Sequence, residues 1–169
     1  MAIDYTGLVK RLQLPSDFVA PAQLAHEELV ATALTRHDVS DDTAGINRSI
    51  ELIQRTRGGP WPSGPVTDEY NFVDAVWHEQ EFREGSSFTY IVRETDGAYV
   101  GCAYLYPMGG RTKLTPALLH HDVDVSWWVT PEACERGRYE MLYRALRSWV
   151  AESFPFAAPY YSNAAMPAE

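Results

Sequence analysis

Apolar and polar residues alternate in the second half of the chain, and this pattern predicts three consecutive strands. Residues 88–93 alternate as the side chains of a strand do, and residues 95–97 (TDG) are typical of a tight turn. Residues 99–106 (YVGCAYLY) then run back as a second strand, in which Gly101 indicates a bulge or a close approach of the backbone. Residues 123–129 (VDVSWWV) form the third.

An earlier segment predicts one buried strand followed by helices. Residues 28–34 (ELVATAL) suit a strand that is buried on both faces. Thr35 is a candidate N-cap with Asp38 in the first turn, where negative charge is favourable. Gly45 is expected to split the helical segment in two. Its apolar face is formed by Val39, Ile46, Ile50 and Ile53.

A proline- and glycine-rich loop precedes a long helix. Residues 57–65 (RGGPWPSGP) can be neither the interior of a helix nor that of a strand. Thr67 is then an N-cap, and the helix is expected to continue to about Arg83. Tyr70, Val73 and Trp77 recur at helical spacing and predict its apolar face.

The last third of the chain predicts a helix and a final strand. Thr115 and Pro116 are typical of the start of a short helix. Residues 159–163 can form a short strand, and the preceding helical crossover makes it parallel to the strand at 123–129. The apolar face of that crossover helix comprises Tyr139, Leu142, Tyr143, Leu146, Trp149 and Val150.

These elements define a fold class. Their order is β-α-α-β-β-β-α-β, which predicts a mixed, mostly antiparallel sheet flanked by helices, an α/β or α+β architecture. The 169 residues are expected to form one domain, with an N-terminal arm at 1–26 and a tail at 164–169.

Composition and charge exclude several classes of partner. The net charge of −9 argues against binding to nucleic acid or to an anionic membrane, both of which require a basic surface. No signal peptide and no apolar run of about 18 residues is visible. Cys102 and Cys134 lack metal-type spacing and are expected to be reduced thiols, so we expect a cytoplasmic protein.

The chain resembles the GNAT superfamily of N-acetyltransferases over residues 28–163. The similarity rests on the strand order, on GAYVGCAYLYP, on DVSWWVTPEACERGRYEMLYRALRSW and on YYSN. The resemblance implies an acetyl-CoA (or other acyl-CoA) cofactor and a small-molecule or peptide amine as acceptor. In that family, backbone amides at a helix N-terminus hold the cofactor's pyrophosphate, where the peptide dipoles favour negative charge.

The family's phosphate loop has the pattern Arg/Gln-x-x-Gly-x-Gly/Ala, which falls here on residues 134–139 (CERGRY). Only Gly137 matches, since Cys134 and Tyr139 replace the first and last residues of the pattern. A plain corner between a strand and a helix is the alternative. The cofactor-binding residues that the resemblance implies are Trp128, Val129, Thr130, Cys134, Glu135, Arg136, Gly137, Arg138 and Tyr139.

A second departure lies after YYSN, where the family usually continues with a helix, often bearing a tyrosine general acid, and two strands. Part of the usual wall of the acceptor site is then either missing or supplied from elsewhere. The N-terminal segment is one candidate to supply it, and a second subunit, as in a homodimer, is the other. A catalytically inactive GNAT-like binding or regulatory module is the alternative to an acetyltransferase.

Candidate catalytic residues lie near the strand at 123–129. Asp124, Asp122 or, through water, His121 is a candidate base, and Tyr139 a candidate donor to a thiolate; surface and packing roles are the alternatives. Trp127 and Trp128 face opposite sides of the strand, so that at least one belongs to the core. His78 and Glu81 lie on a helix without a second histidine at metal spacing, so we expect no metal site. The loop with Trp61 is either a substrate-facing lid or a structural plug.

Overall fold

A computed structural model describes all residues from Met1 to Glu169. Short 3-10 helices occur at Arg36–Asp38 and Pro116–Leu118. The remaining elements are β1 (Gln23–His26), β2 (Leu29–Ala33), α1 (Val39–Asn47), α2 (Ile50–Thr56), α3 (Asp68–Glu84), β3 (Phe88–Glu94), β4 (Tyr99–Tyr106), β5 (Val123–Val129), α4 (Pro131–Glu135), α5 (Arg138–Ser153) and β6 (Pro159–Tyr161).

The strands form one six-stranded sheet in sequential order, β1-β2-β3-β4-β5-β6. All neighbours are antiparallel except β5 and β6, which are parallel, as the helical crossover predicts. The register shifts between Val92 and Arg93, opposite Val100 in β4, so the bulge expected near Gly101 is confirmed. The predicted fold class is therefore confirmed, with one strand more than expected.

The additional strand is β1, which lies within the segment that we expected to wrap the surface. Its residues pair with β2 from Gln23–Thr32 to His26–Leu29, but only Leu24 is buried. An edge strand with one buried side chain has too little apolar alternation to be recognised in the sequence. The remainder of the arm does cover the surface, since Leu12, Leu14 and Phe18 pack against the core.

Helix α5 covers one face of the sheet and explains the larger part of the core. All six side chains predicted for its apolar face are buried, including Leu142 and Trp149. They pack against Trp127 and the other inward residues of β5. Burying six such side chains contributes on the order of 10 kcal/mol before conformational entropy is subtracted.

Helices α1, α2 and α3 cover the opposite face. Thr35 and Asp38 form the predicted cap, a reciprocal capping box. The helical segment does split, but at Arg48 and Ser49 rather than at Gly45, so that position was predicted wrongly. Gly45 instead lies inside α1, where it packs against the ring of Tyr99. A glycine is needed at this position because a Cβ atom would be 2.4 Å from that ring.

The limits predicted for α3 are confirmed, since Thr67 caps it by accepting from the amide of Tyr70. Its apolar face was predicted wrongly: Tyr70, Val73 and Trp77 are 62%, 57% and 63% exposed. The buried residues of α3 are Asn71 and Ala75. Asn71 is polar but buried, because its side-chain amide donates to a carboxylate on α1. Local periodicity does not reveal such a contact.

That carboxylate belongs to Asp42, the centre of a buried polar network between α1, α3 and β4. Asp42 accepts from the amide of Asn71 and the hydroxyl of Tyr99, both at 2.9 Å, and from the thiol of Cys102 at 3.2 Å. Burial raises the pKa of the Cys102 thiol, and both cysteines are free. No helix combines the length and the apolar character that crossing a bilayer requires.

Candidate functional site

The corner between β5 and α5, residues 130–138, contains the extra helical turn α4. Thr130 begins this turn, because its hydroxyl accepts from the amide of Ala133. The amide of Cys134 bonds to the carbonyl of Thr130, and that of Gly137 to Cys134. The amides of Cys134 and Gly137 are therefore already bonded, although both residues were predicted to hold a cofactor.

The start of α5 offers free donors just beyond this turn. The first N–H groups of a helix have no partner within it, and Gly137 carries no capping side chain. The amides of Arg138, Tyr139 and Glu140 therefore remain available at the positive end of a sixteen-residue helix. Gly137 has φ = 73°, and no atom lies within 4 Å of the place a Cβ would take.

The side chains of Arg136 and Arg138 in the corner are already ion-paired with glutamates. Arg138 bonds to Glu94 at 2.8 Å and also to Glu28, and Arg136 bonds to Glu94 at 3.0 Å. These bonds hold the pKa of the Glu94 carboxyl below its usual range. Backbone amides, rather than arginine side chains, are therefore the donors that the corner offers to an anion.

The two parallel strands separate beside this corner. Pairing between β5 and β6 covers only three positions and ends at Val125 and Tyr161. Thr130 donates its amide to Val100, and hydrogen-bonding groups alternate along a strand, so the amide of Val129 faces the edge that β6 leaves uncovered. We call the space beside Trp127 and Val129, where β6 has parted from β5, the wedge.

The chain itself occupies the wedge. The side-chain amide of Asn163 accepts from the backbone N–H of Trp127 at 3.1 Å and donates to its carbonyl at 2.9 Å, as a strand residue would. The amides of Ala164 and Ala165 bond to the carbonyls of Arg57 and Thr56, which ties this segment to the end of α2. A ligand can enter the wedge only after residues 163–165 move.

Tyr139 also faces the wedge. Its ring lies 5.3 Å from that of Trp127, and its hydroxyl donates to the carbonyl of Ala165 and accepts from Asn163 at 2.8 Å. Burial raises the pKa of this hydroxyl. Because the ring points inward, Tyr139 leaves the outer surface of the corner open.

Both consecutive tryptophans belong to the core. Trp127 packs towards α5, while Trp128 faces α1 and α2 and donates its indole N–H to the hydroxyl of Tyr104 at 2.8 Å. Both are fully buried, so the side chain of Trp128, predicted to bind a cofactor, is enclosed by protein.

The candidate bases lie towards the other end of β5. Asp124 is fully buried; one carboxylate oxygen accepts from the hydroxyl of Ser162 and the other has no partner. His121 bonds through Nδ1 to the carbonyl of Ala158 at 3.0 Å, and Asp122 accepts from two amides that precede β6. At about 3.3 Å per residue, Asp124 lies about 20 Å along the strand from Thr130. Asp124 is one position before Val125, where the pairing with β6 ends, so it lies at the point where the strands part. His121 precedes β5 and does not.

A cavity of about 650 Å³ lies beside the corner. It is bounded by the junction of α1 and α2 on one side and by Cys134 and Glu135 on the other. Burial raises the pKa of the Cys134 thiol, which disfavours its reactive thiolate form.

A second cavity, of about 520 Å³, lies at the far end of α2. Arg57, Arg111 and Trp61 line it, together with Ser162 and Ala164 from the segment that fills the wedge. We call it the arginine cavity. Neither arginine could be recognised as a site residue from the sequence, because the two lie 54 positions apart in loops; the proline-rich run after Arg57 was the only local signal.

His78 and Asp74 of α3 form the opposite lining of the arginine cavity. The ring of His78 lies 3.2 Å from the carboxylate of Asp74 and 3.6 Å from that of Glu81. Burial opposes protonation of His78, but these two carboxylates outweigh it and raise its pKa to about 9. His78 is therefore protonated at neutral pH and is not a general base.

The titration of His78 tests this ion-paired cluster. We expect an NMR midpoint near pH 9 instead of 6.5, and a lower midpoint in Asp74→Asn. Because the pKa is raised in the folded state, the stabilisation is complete below pH 6.5 and is lost as the pH rises through 9. A midpoint near 6.5 in the wild type would contradict these contacts.

Comparison with known proteins gives a match in structure alone. No protein-family model matches the sequence, and no curated protein does. The solved RimL ribosomal L7/L12 α-N-protein acetyltransferase in complex with coenzyme A is 13% identical, with a TM-score of 0.57 over 79% of this chain and 67% of that chain. The ribosomal-protein-S5-alanine acetyltransferase from Vibrio fischeri is 11% identical, with a TM-score of 0.57 over 77% and 67%.

A GNAT-family acetyltransferase from Bacillus anthracis gives 13% identity and a TM-score of 0.51, over 76% of this chain and 65% of that one. Such a likeness at low identity establishes a shared architecture. The chain therefore has the fold of the GNAT acetyltransferases, as the resemblance in its sequence implied.

Proposed function

We propose that this protein is an acetyl-CoA-dependent N-acetyltransferase that transfers an acyl group to an amine. The observation that carries this proposal is the parting of β5 and β6 directly beside the unpaired amides at the start of α5. A fold shared with acetyltransferases, one of them solved with coenzyme A, supports it.

The corner and the wedge would bind different parts of this cofactor: the corner its diphosphate and the wedge its pantetheine arm. The amides of Arg138, Tyr139 and Glu140 would hold the diphosphate, since aligned peptide dipoles favour an anion there. The backbone of Val129 and Trp127 would pair with the amide groups of the pantetheine arm. The arm fits only when Asn163 releases Trp127, so the closed wedge must open before the cofactor binds.

When bound, the cofactor supplies an activated acyl thioester. An amine would then attack the carbonyl carbon of this thioester, so that a C–N bond forms as the C–S bond breaks and the sulfur leaves as a thiolate. In our proposal Asp124 takes the proton of the amine, and Tyr139 donates a hydrogen bond to the leaving sulfur. Both residues border the point where the strands part, whereas His121 does not.

Shortening the cofactor tests the diphosphate site. We expect acetyl-CoA to bind about a hundredfold more tightly than S-acetylpantetheine in calorimetry, because charge-assisted hydrogen bonds to the diphosphate are lost. Equal affinities would contradict a diphosphate site at α5, and no binding at about millimolar acetyl-CoA would contradict the proposal as a whole.

A second candidate, a GNAT-like binding or regulatory module without catalysis, is favoured by the occupied wedge. The bonds from Asn163 to both backbone groups of Trp127 close the route that the cofactor arm needs. Transfer of acetyl groups to any member of an amine panel would exclude this candidate. Cofactor binding without transfer to any amine would support it.

A further inference from the structure

The arginine cavity contains two guanidinium groups that form no direct ion pair with a carboxylate. Arg57 is only 7% exposed, and no carboxylate oxygen lies within 4.0 Å of a nitrogen of Arg57 or Arg111. Burying an unpaired charge is unfavourable, so an uncompensated pair of arginines in a cavity is typical of a site for an anion.

Arg57 supplies the two free Nη donors of this cavity. The Nη atoms of Arg111 are occupied, one by Ser162 at 2.9 Å and the other by the carbonyls of Arg57 and Gly58. Arg57 donates only through Nε, to the hydroxyl of Ser126 at 3.1 Å. Its two Nη groups have no acceptor and lie side by side, a geometry that matches the two oxygens of one carboxylate.

The guanidinium of Arg57 is held in place before any ligand arrives. It lies 3.9 Å from the ring centroid of Tyr104 and 5.7 Å from that of Trp61. Together with the bond to Ser126, these aromatic contacts fix its orientation, which reduces the entropy lost on binding.

The charges around the cavity favour a monoanion. Asp124, two positions before Ser126 on the same face of β5, offsets one of the two positive charges. Of the cluster on α3, Asp74 and His78 line the cavity and are paired with each other, whereas Glu81 does not line it. One positive charge is then left for a ligand, which suits a carboxylate better than a phosphate dianion.

We propose that the arginine cavity binds the carboxylate of the acceptor, and that the acceptors are aminocarboxylates. This inference rests on the proposed function, in which the acyl group is transferred to the amine of the acceptor. Ser162 and Ala164 both line the cavity and belong to the segment at the wedge, so a carboxylate on Arg57 lies next to the place where the acyl group would arrive.

Binding without a cofactor tests the cavity independently of catalysis. The probes are phenylalanine, leucine and 4-aminobutyrate, each paired with the amine that lacks only the carboxylate: phenethylamine, isopentylamine and propylamine. We expect the acids to bind about tenfold or more tightly than the amines, and Arg57→Met to abolish the difference. Arg144→Met, which removes an exposed arginine from α5, serves as the matched control and should bind like the wild type.

Arg57→Lys keeps the test decisive if Arg57→Met does not fold. It retains the charge but removes the paired donors, so we expect acid binding to weaken by about tenfold. The proposal is overturned if no acid binds at about 10 mM, if the folded Arg57 variants bind the acids as tightly as the wild type, or if inorganic phosphate competes better than acetate. Acids that bind through Arg57 but are not acetylated, while another amine is, would support the cavity as an anion site and refute its role in binding the acceptor.

Discussion

Replacing Asn163 with alanine should lower the free energy of unfolding by about 3 kcal/mol and raise the affinity for coenzyme A about tenfold. The side chain of Asn163 makes three buried hydrogen bonds, two to the backbone of Trp127 and one to Tyr139. The variant loses stability because these partners are left unsatisfied. It gains affinity because the wedge no longer has to be opened by the cofactor.

The opposite signs of the two effects identify the mechanism. Chemical denaturation gives the stability, and calorimetry with coenzyme A gives the affinity. Glu169→Ala is the matched control, because it removes only an exposed ion pair between the same tail and Arg147 and should change neither quantity. A loss of affinity in Asn163→Ala would show that Asn163 contacts the cofactor instead of excluding it.

Gly101→Ala should destabilise the fold by about 3 kcal/mol or more. A Cβ atom at this position would lie 2.0 Å from the carbonyl oxygen of Trp128 and 2.8 Å from the Cα of Val129. Both atoms belong to the backbone of β5, in the middle of the sheet, and cannot rotate away. The two strands must therefore separate, which also displaces the strand end that leads into the corner.

Gly64→Ala is the matched control for this substitution. No atom lies within 4 Å of a Cβ at Gly64, so we expect its denaturation midpoint to change little, within about 0.5 kcal/mol. Equal stability of Gly101→Ala and the wild type would show that β4 and β5 are not as close as described.

Most elements were predictable because their periodicity is local. The alternation across 123–129 matches the limits of β5, and the helical spacing from Tyr139 to Val150 gives the buried face of α5. Caps at Thr35 and Thr67 marked helix starts correctly, since a cap needs only residues within one turn.

Apart from the weakly patterned strand β1, the failures depend on partners that are distant in the chain. The stripe of Tyr70, Val73 and Trp77 gave α3 the correct period, but the opposite face packs inward because Asn71 meets Asp42. In the same way, Gly137 could be located from its motif. The sequence could not show that the side chain of Asn163 bonds to the backbone of Trp127 as a neighbouring strand would. Arg57 became a candidate only when the fold placed it beside Arg111.

The network around Asp42 constrains how this sequence can diverge. Loss of Asp42, Asn71 or Tyr99 alone would remove a hydrogen bond from a buried polar group, so these positions are expected to change together in related sequences. The apolar face under α5 tolerates exchanges of similar volume one residue at a time. One side of the sheet can thus drift in single evolutionary steps, while the other must change as a unit.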